Sequence, residues 1–180
     1  MNHIAVFGLF GVALFAAGCS SPTPTSSQTP VERGNYLVTV ADCGGCHTPG
    51  SMLGMPDMAR NLGGSEVGFE IPGLGTFHPP NLTPDPETGL GKWSEQEIVT
   101  AITTGKRPDG RELAPIMPWR GLAALTPPDA MAVAVFLKSL PPVMNKVPGP
   151  FGPTEKATAF VMKVVAPEGA TPPASALPTP

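Results

Sequence analysis

The sequence predicts an all-α fold, with one domain of three to five short helices joined by long loops and flanked by proline-rich ends. Helix-start signals, in which a Ser or Thr is followed three residues later by an acid, stand at Thr29, Ser94 and Thr126. Proline and glycine make up 46 of the 180 residues, but they concentrate at the two ends and in the loops. A chain of this length forms one domain with a real core, and it is too short for two of ordinary size.

The first nineteen residues have the pattern of an export signal. Residues 4–17 are an unbroken run of fourteen apolar or small side chains, and a helix of this length extends about 21 Å, less than the roughly 30 Å of a bilayer core. The run ends in Ala16-Ala17-Gly18-Cys19, which resembles a bacterial lipoprotein signal, in which the cysteine becomes the lipidated first residue of the mature chain. We therefore expect a signal peptide over residues 1–19 and a lipid anchor on Cys19, with ordinary cleavage to a soluble periplasmic protein as the alternative.

Residues 20–29 contain only Ser, Thr, Pro and Gln. A segment without apolar side chains cannot offset the entropy that ordering costs. We expect a flexible tether with a reach of roughly 30 Å.

The first helix is predicted over residues 30–41. Thr29 is the N-cap, Pro30 suits the first helical position, and Glu32 completes a capping box. Gly34 lies inside this helix at a cost of about 1 kcal/mol relative to alanine, which indicates a close crossing with the helix that starts at Thr126. The apolar face is expected to carry Tyr36, Leu37 and Val40.

The chain then reads Cys43-Gly44-Gly45-Cys46-His47. This C-x-x-C-H spacing attaches a c-type haem, so we expect thioether bonds from Cys43 and Cys46 and an iron bond from His47. A thioredoxin-like dithiol would need a βαβ pattern, a structural zinc site would need four ligands, and a disulfide would leave His47 without a role.

Residues 48–80 are rich in glycine and proline and read as loops. Some carbonyl in this region is expected to accept the Nδ1 proton of His47 and so fix its ring. Flexible methionines more often fill gaps around a ring than ligate iron. We therefore expect packing roles for the three methionines of this region, which are Met52, Met55 and Met58.

Turn-forming residues over 81–89 lead into a second predicted helix, which is capped by Ser94 with Glu97 and ends at Gly105. Asn81 and Trp93 flank this turn, and we expect both to have a structural role in packing the helix on the core. The alternative is that one of them contacts a haem propionate.

Met117 is the predicted sixth iron ligand. It stands between two prolines in Pro115-Ile116-Met117-Pro118-Trp119, so little backbone freedom is lost when its sulfur binds. Its rivals are His78, Met131 and Met144. We expect the nearby arginines to be solvated or paired with carboxylates, although one of them could hold a propionate; they are Arg107, Arg111 and Arg120.

The third helix is predicted to start at Thr126 and to stop at Pro141-Pro142. Its apolar residues are Met131, Ala134, Val135, Phe136 and Leu140. Residues 153–180 form a proline-rich extension, of which 157–165 should pack along the domain and 171–180 should be disordered.

The formal net charge of −3 is unevenly distributed: residues 42–97 hold eight acids and two bases, whereas the rest, from residue 98, holds five acids and eight bases. Such a dipole orients a charged partner. The low pI and the lack of a dense basic patch argue against nucleic acid as a partner.

The export signal, the C-x-x-C-H motif after a capped helix and the Met117 loop together resemble a class I cytochrome c. The runs Asn81-Leu82-Thr83-Pro84-Asp85 and Gly89-Leu90-Gly91-Lys92-Trp93-Ser94 are similar to those of the mono- and dihaem cytochromes that serve bacterial membrane dehydrogenases. The resemblance covers about residues 31–152, and we take residues 30–152 as the cytochrome c domain. It implies haem attachment at Cys43 and Cys46 and axial ligation by His47 and Met117.

With both axial positions filled, the expected function is one-electron transfer and not catalysis. One haem c would accept electrons from a periplasmic or membrane-bound dehydrogenase and pass them to a respiratory acceptor. The expected location is the periplasm of a Gram-negative bacterium, at the membrane through Cys19. The alternative is a haem enzyme such as a peroxidase, or a ligand sensor, in which the sixth ligand is displaceable.

Overall fold

The computed structural model describes residues 28–165 and 167–169. In this part of the chain five helices and three short strands are joined by long loops, which confirms the predominantly helical fold class. The helices are α1 Pro30–Val40, α2 Cys43–His47, α3 Glu95–Thr104, α4 Trp119–Leu122 and α5 Pro127–Ser139. The strands are β1 Val67–Ile71, β2 Gly75–Phe77 and β3 Phe160–Lys163.

Helix α1 begins as predicted, but of the three side chains predicted on its apolar face only Leu37 packs against the core. The Thr29 side chain accepts a hydrogen bond from the Glu32 N–H, and the Glu32 carboxylate accepts one from the Thr29 N–H. Tyr36 and Val40 were wrongly predicted as core residues, because their exposed fractions are 52% and 62%. The buried positions are Gly34 and Val38, which are four residues apart and therefore lie on one helix face.

Helices α1 and α5 cross at Gly34, as the sequence predicts. A Cβ atom at Gly34 would fall against the carbonyl oxygen of Ala132 and 2.6 Å from Cβ of Phe136. Next to the crossing, Arg33 Nε lies 2.8 Å from Asp129 Oδ1. The absence of a side chain at Gly34 thus allows the two helices to approach closely.

Helix α3 and the loop before it pack against α5 and complete the core. Ser94 and Glu97 form the predicted capping box, and Gly105 ends the helix with φ of 75°. Lys138 on α5 donates from Nζ to the carbonyl oxygens of Leu90, Gly91 and Trp93, at 3.2, 2.9 and 2.9 Å. The buried core consists of Val38, Leu62, Leu90, Ile98, Val133, Ala134 and Leu137.

A small sheet in the order β2-β1-β3 was not predicted. Strands β1 and β2 form an antiparallel hairpin in which Phe69 pairs with Phe77, and β3 pairs in parallel with β1, with Phe160 opposite Val67. Residues 157–165 therefore attach to the domain through backbone pairing, while side chains such as Phe160 stay exposed. The segment was expected to pack along the domain, and it does so by pairing as a strand and not by burying its side chains.

The predicted signal peptide over residues 1–19, Cys19, nearly all of the tether and the 171–180 tail lie outside the described residues. Within the described ranges, no helix is both long and apolar enough to cross a bilayer.

Candidate haem site

The two cysteines of the C-x-x-C-H motif lie on one short helix directly after α1. Asp42 adopts a left-handed conformation, with φ of 52°, which separates α1 from α2, and α2 starts at the next residue. Cys43 is half-buried and packs against the apolar core, whereas Cys46 is exposed. Both thiols are free, so the structure does not contain the alternative disulfide.

Both thiols have raised pKa values. Burial raises the pKa of Cys43 to about 11, and burial together with the nearby Asp42 carboxylate raises the pKa of Cys46. The thiolate is the form that exchanges disulfides, so these environments disfavour a redox-active dithiol. In the described part of the chain, no group of three or more His, Cys, Asp or Glu side chains is arranged to hold a metal ion.

His47 is buried and its ring orientation is fixed by one hydrogen bond. Nδ1 lies 2.8 Å from the carbonyl oxygen of Pro80, which accepts its proton. This bond selects the tautomer in which Nε2 carries the free lone pair, the arrangement that a metal-binding imidazole needs. Burial lowers the pKa of His47, which favours the neutral ring. The prediction that a carbonyl within residues 48–80 accepts this proton is confirmed.

The Pro80 carbonyl is held in place by the next residue, Asn81, whose exposed fraction is 1%. Asn81 Nδ2 donates to the Val143 carbonyl at 2.6 Å and to Thr88 Oγ1 at 3.0 Å. Its Oδ1 accepts from Thr83 N at 2.9 Å and from Thr83 Oγ1 at 2.7 Å. An asparagine amide has two donors and two acceptor positions, so none remains for a propionate. The structural role predicted for Asn81 fits these bonds.

A second set of bonds connects α2 to the loop that follows it. The His47 carbonyl accepts from Gly64 N at 2.7 Å, and Thr48 Oγ1 accepts from Leu62 N at 3.0 Å. Leu62 is fully buried and belongs to the core. These bonds secure the backbone on either side of His47, and the sequence contains no motif that announces them.

Met117 lies half-buried in a turn between α3 and α4. Its N–H donates to the Ala114 carbonyl at 2.9 Å, and its own carbonyl accepts from Trp119 N at 2.8 Å. The Trp119 ring packs on Gly105, since a Cβ there would lie 2.6 Å from Trp119 Cε2. The Met117 turn is therefore attached to the end of α3, but its role as iron ligand stays a prediction.

The rivals of Met117 occupy different settings. His78 is buried, its ring is edge-on to Phe151 with 5.9 Å between centroids, and a Cβ at Gly68 of β1 would lie 2.6 Å from its Cε1. Met131 is half-buried on α5, whereas Met144 is 82% exposed. The sheet and the segment after α5 thus enclose His78. Of the loop methionines, Met52 is half-buried and Met55 and Met58 are exposed.

The residues present fit a covalently attached haem. Two neutral thiols three residues apart on one helical turn match thioether attachment, and an imidazole with Nε2 available follows at once. The donor set therefore agrees with haem c better than with zinc or a redox-active dithiol.

Several known proteins are similar to this chain. A family model described as Cytochrome c matches residues 31–141. The cytochrome c subunit of alcohol dehydrogenase (quinone) from Gluconobacter oxydans is 33% identical over 147 residues, which cover 80% of this chain and 28% of the relative. The fructose dehydrogenase cytochrome subunit from Gluconobacter japonicus is 34% identical over 112 residues, 61% of this chain and 22% of the relative.

A protein named diheme cytochrome c-type, from Cereibacter sphaeroides, is 29% identical over 140 residues, 77% of this chain and 46% of the relative. The chain therefore spans less than half the length of each of these three relatives.

Proposed function

This chain belongs to the cytochrome c family, and we propose on that basis that it carries single electrons on one haem c, without catalysing a reaction of its own. The observation that carries the proposal is the 2.8 Å bond from His47 Nδ1 to the Pro80 carbonyl, which leaves Nε2 for iron. Cys43 and Cys46 would attach the haem, and His47 and Met117 would ligate its iron. One haem follows from the single C-x-x-C-H motif in the sequence.

The bound haem supplies an iron that alternates between its ferric and ferrous states. With His47 and Met117 both bound to this iron, no position on it would be open for a substrate. Methionine sulfur favours the ferrous form, and burial acts in the same direction because a low dielectric disfavours extra charge. The chain is thus suited to receiving an electron and passing it on.

The proposed electron donor is a dehydrogenase, and the acceptor is a respiratory protein. Support comes from the printed names of the relatives, which are cytochrome subunits of alcohol and fructose dehydrogenases. The uneven charge of the chain would orient it on such a partner. This protein spans 28% and 22% of the length of those two relatives. We therefore propose that it corresponds to one haem-bearing unit of such a cytochrome subunit.

We further propose a periplasmic location, with a lipid on Cys19 that holds the protein at the membrane. Two or more acyl chains anchor a protein stably, whereas one chain binds reversibly. In the producing bacterium, the native protein should sediment with membranes and a Cys19→Ser variant should not. Equal membrane association of both forms would refute the anchor without affecting the haem assignment.

Removal of Met117 tests the proposed ligand set. The ferric protein should show a sulfur-to-iron charge-transfer band, and the band should vanish in Met117→Ala. The matched control is Met144→Ala, because Met144 is largely exposed, and this variant should keep the band. If the band is absent from the unaltered protein, or if its ferrous form binds carbon monoxide rapidly, the electron-carrier proposal fails in favour of a ligand-binding haem protein.

Capture from native membranes tests the partner. The protein should co-purify with a dehydrogenase catalytic subunit, and addition of that enzyme's substrate should reduce the haem. A haem that stays oxidised in the captured complex would contradict the proposed donor.

A further inference from the structure

The loop after α2 carries three methionines that the proposed electron transfer does not use. Met52, Met55 and Met58 follow one another at intervals of three residues. The sequence predicted packing roles for them, but Met55 and Met58 are 74% and 65% exposed, while Met52 is half-buried. Packing therefore does not account for two of these three thioethers.

Backbone hydrogen bonds hold the methionines in one closed loop. The Gly50 carbonyl accepts from Met55 N at 3.0 Å, and the Pro49 carbonyl accepts from Asp57 N at 2.8 Å. Gly50 has a φ of 75°, and a Cβ atom there would fall against the Met55 carbonyl oxygen, so this close approach needs a glycine. Three residues span at most about 11 Å even in an extended chain, and the closed loop is far from extended. The unbranched methionine side chain, with three rotatable bonds, can reach across such separations.

The carboxylates beside the methionines are already bound within the protein. Asp57 Oδ1 accepts from Ala59 N at 3.0 Å, and its Oδ2 accepts from Arg60 Nε at 2.7 Å. The two carboxylate oxygens of Glu66 lie 3.1 and 3.3 Å from Gly50 N, which donates to them. With both carboxylates occupied, the loop offers a cation its thioether sulfurs. Thioethers are soft ligands that select Cu(I), whereas hard ions such as Mn²⁺ prefer oxygen.

The methionine loop lies beside the haem-attachment helix but opens on a different space. Met58 lines a cavity of about 240 Å³ together with the two glycines of the C-x-x-C-H motif, whereas the cysteines and the histidine of that motif do not line it. Ser51, the neighbour of Met52, lines the same cavity. The two ends of the methionine run thus border one space, and a metal ion held there would be separate from the haem iron.

We propose that Met52, Met55 and Met58 bind one cuprous ion through their three sulfur atoms. The proposal goes beyond electron transfer and does not depend on it, since none of the three methionines is assigned to the haem. Three neutral donors leave the charge of the ion uncompensated, which favours a monovalent soft ion over divalent ones. The loop thus provides a second metal site on the same domain.

The test uses the full-length, haem-bearing protein with Cys19→Ser, so that no free thiol competes for copper. After anaerobic dialysis against Cu(I) buffered by a competing chelator, elemental analysis should find one copper per polypeptide, and Mn²⁺ should not be retained in a parallel dialysis. Met55→Leu and Met58→Leu conserve volume but remove a ligand. Each should lower the affinity for Cu(I) at least about tenfold, the loss that follows even from removing an outer partner of a metal ligand.

The matched control is Met144→Leu, because Met144 is 82% exposed and lies outside the loop; it should bind copper as the unaltered protein does. Absence of retained copper, or equal retention when Met52, Met55 and Met58 are all changed to leucine, overturns the proposal. Equal losses in Met144→Leu and Met55→Leu overturn it as well, because any exposed thioether would then serve. If the triple variant does not fold, Met55→Leu decides, since Met55 is the most exposed of the three, and unchanged affinity in that variant overturns the proposal.

Discussion

The Asn81→Ala substitution should destabilise the protein more than any ordinary surface change. Asn81 is fully buried, and its four hydrogen bonds connect the turn before α3 to Val143 beyond α5. This connection also fixes the peptide unit whose Pro80 carbonyl accepts the Nδ1 proton of His47.

The loss in free energy of unfolding depends on which partners of Asn81 stay without a hydrogen bond. Thr88 Oγ1 keeps its bonds to Asp85 and Asn145, and Thr83 Oγ1 keeps the bond from Val143 N. The Thr83 N–H is left buried without an acceptor, and the Val143 carbonyl loses its shortest bond, at 2.6 Å. The unsatisfied Thr83 N–H costs about 1–3 kcal/mol, and the bond lost at the Val143 carbonyl, which keeps Thr83 Oγ1 at 3.4 Å, costs about 1 kcal/mol. The free energy of unfolding should therefore fall by about 2–4 kcal/mol.

Urea unfolding of the haem-bearing protein, followed by circular dichroism, measures this change. The matched control is Asn35→Ala, because Asn35 is exposed on α1, and its effect should stay within about 0.5 kcal/mol. The looser turn should also weaken the Nδ1 bond of His47. With His47 as the proposed iron ligand, the imidazole would then be a weaker donor to ferric iron, and the reduction potential should rise. An Asn81→Ala protein as stable as the control variant would refute this account of the turn.

Three further changes test the helices. Gly34→Val should lower the free energy of unfolding by about 1–3 kcal/mol, because its side chain would meet the Ala132 carbonyl; unchanged stability in urea would contradict the close crossing. Ser94→Ala should cost about 1 kcal/mol through the lost cap, and a thermal midpoint equal to that of the unaltered protein would contradict it. Hydrogen bonding to Arg33 lowers the pKa of Asp129, so this carboxylate stabilises the fold above its unfolded pKa of about 4 and loses that effect at lower pH. Asp129→Asn should therefore lose less stability between pH 5 and pH 2 than the unaltered protein; equal acid sensitivity would count against the Arg33 pair.

Local signals predicted the features that depend on a few neighbouring residues. The Ser94 and Glu97 capping box spans three positions, and both of its backbone hydrogen bonds are present. The Gly34 crossing was predictable because a glycine in a helix interior is costly unless another backbone approaches it. A carbonyl partner for His47 was predictable from the needs of a metal-binding imidazole.

Features that depend on distant residues were not predictable in the same way. Asn81 meets the Val143 carbonyl across 62 positions, and nothing near Asn81 in the sequence announces that partner. Strand β3 has four residues and pairs with β1, which lies far from it in the sequence. Neither its length nor its residue pattern identifies it as a strand. Tyr36 and Val40 of α1 were mispredicted because apolar side chains lie on both sides of the helix, and the position of α5 decides which side is covered.

Haem stoichiometry under denaturing conditions tests the central claim most directly. The protein purified from its cells, unfolded and separated from all non-covalent ligands, should have the mass of the polypeptide plus one haem, and Cys43→Ala together with Cys46→Ala should remove that addition. A denatured protein that keeps no haem mass would contradict the account.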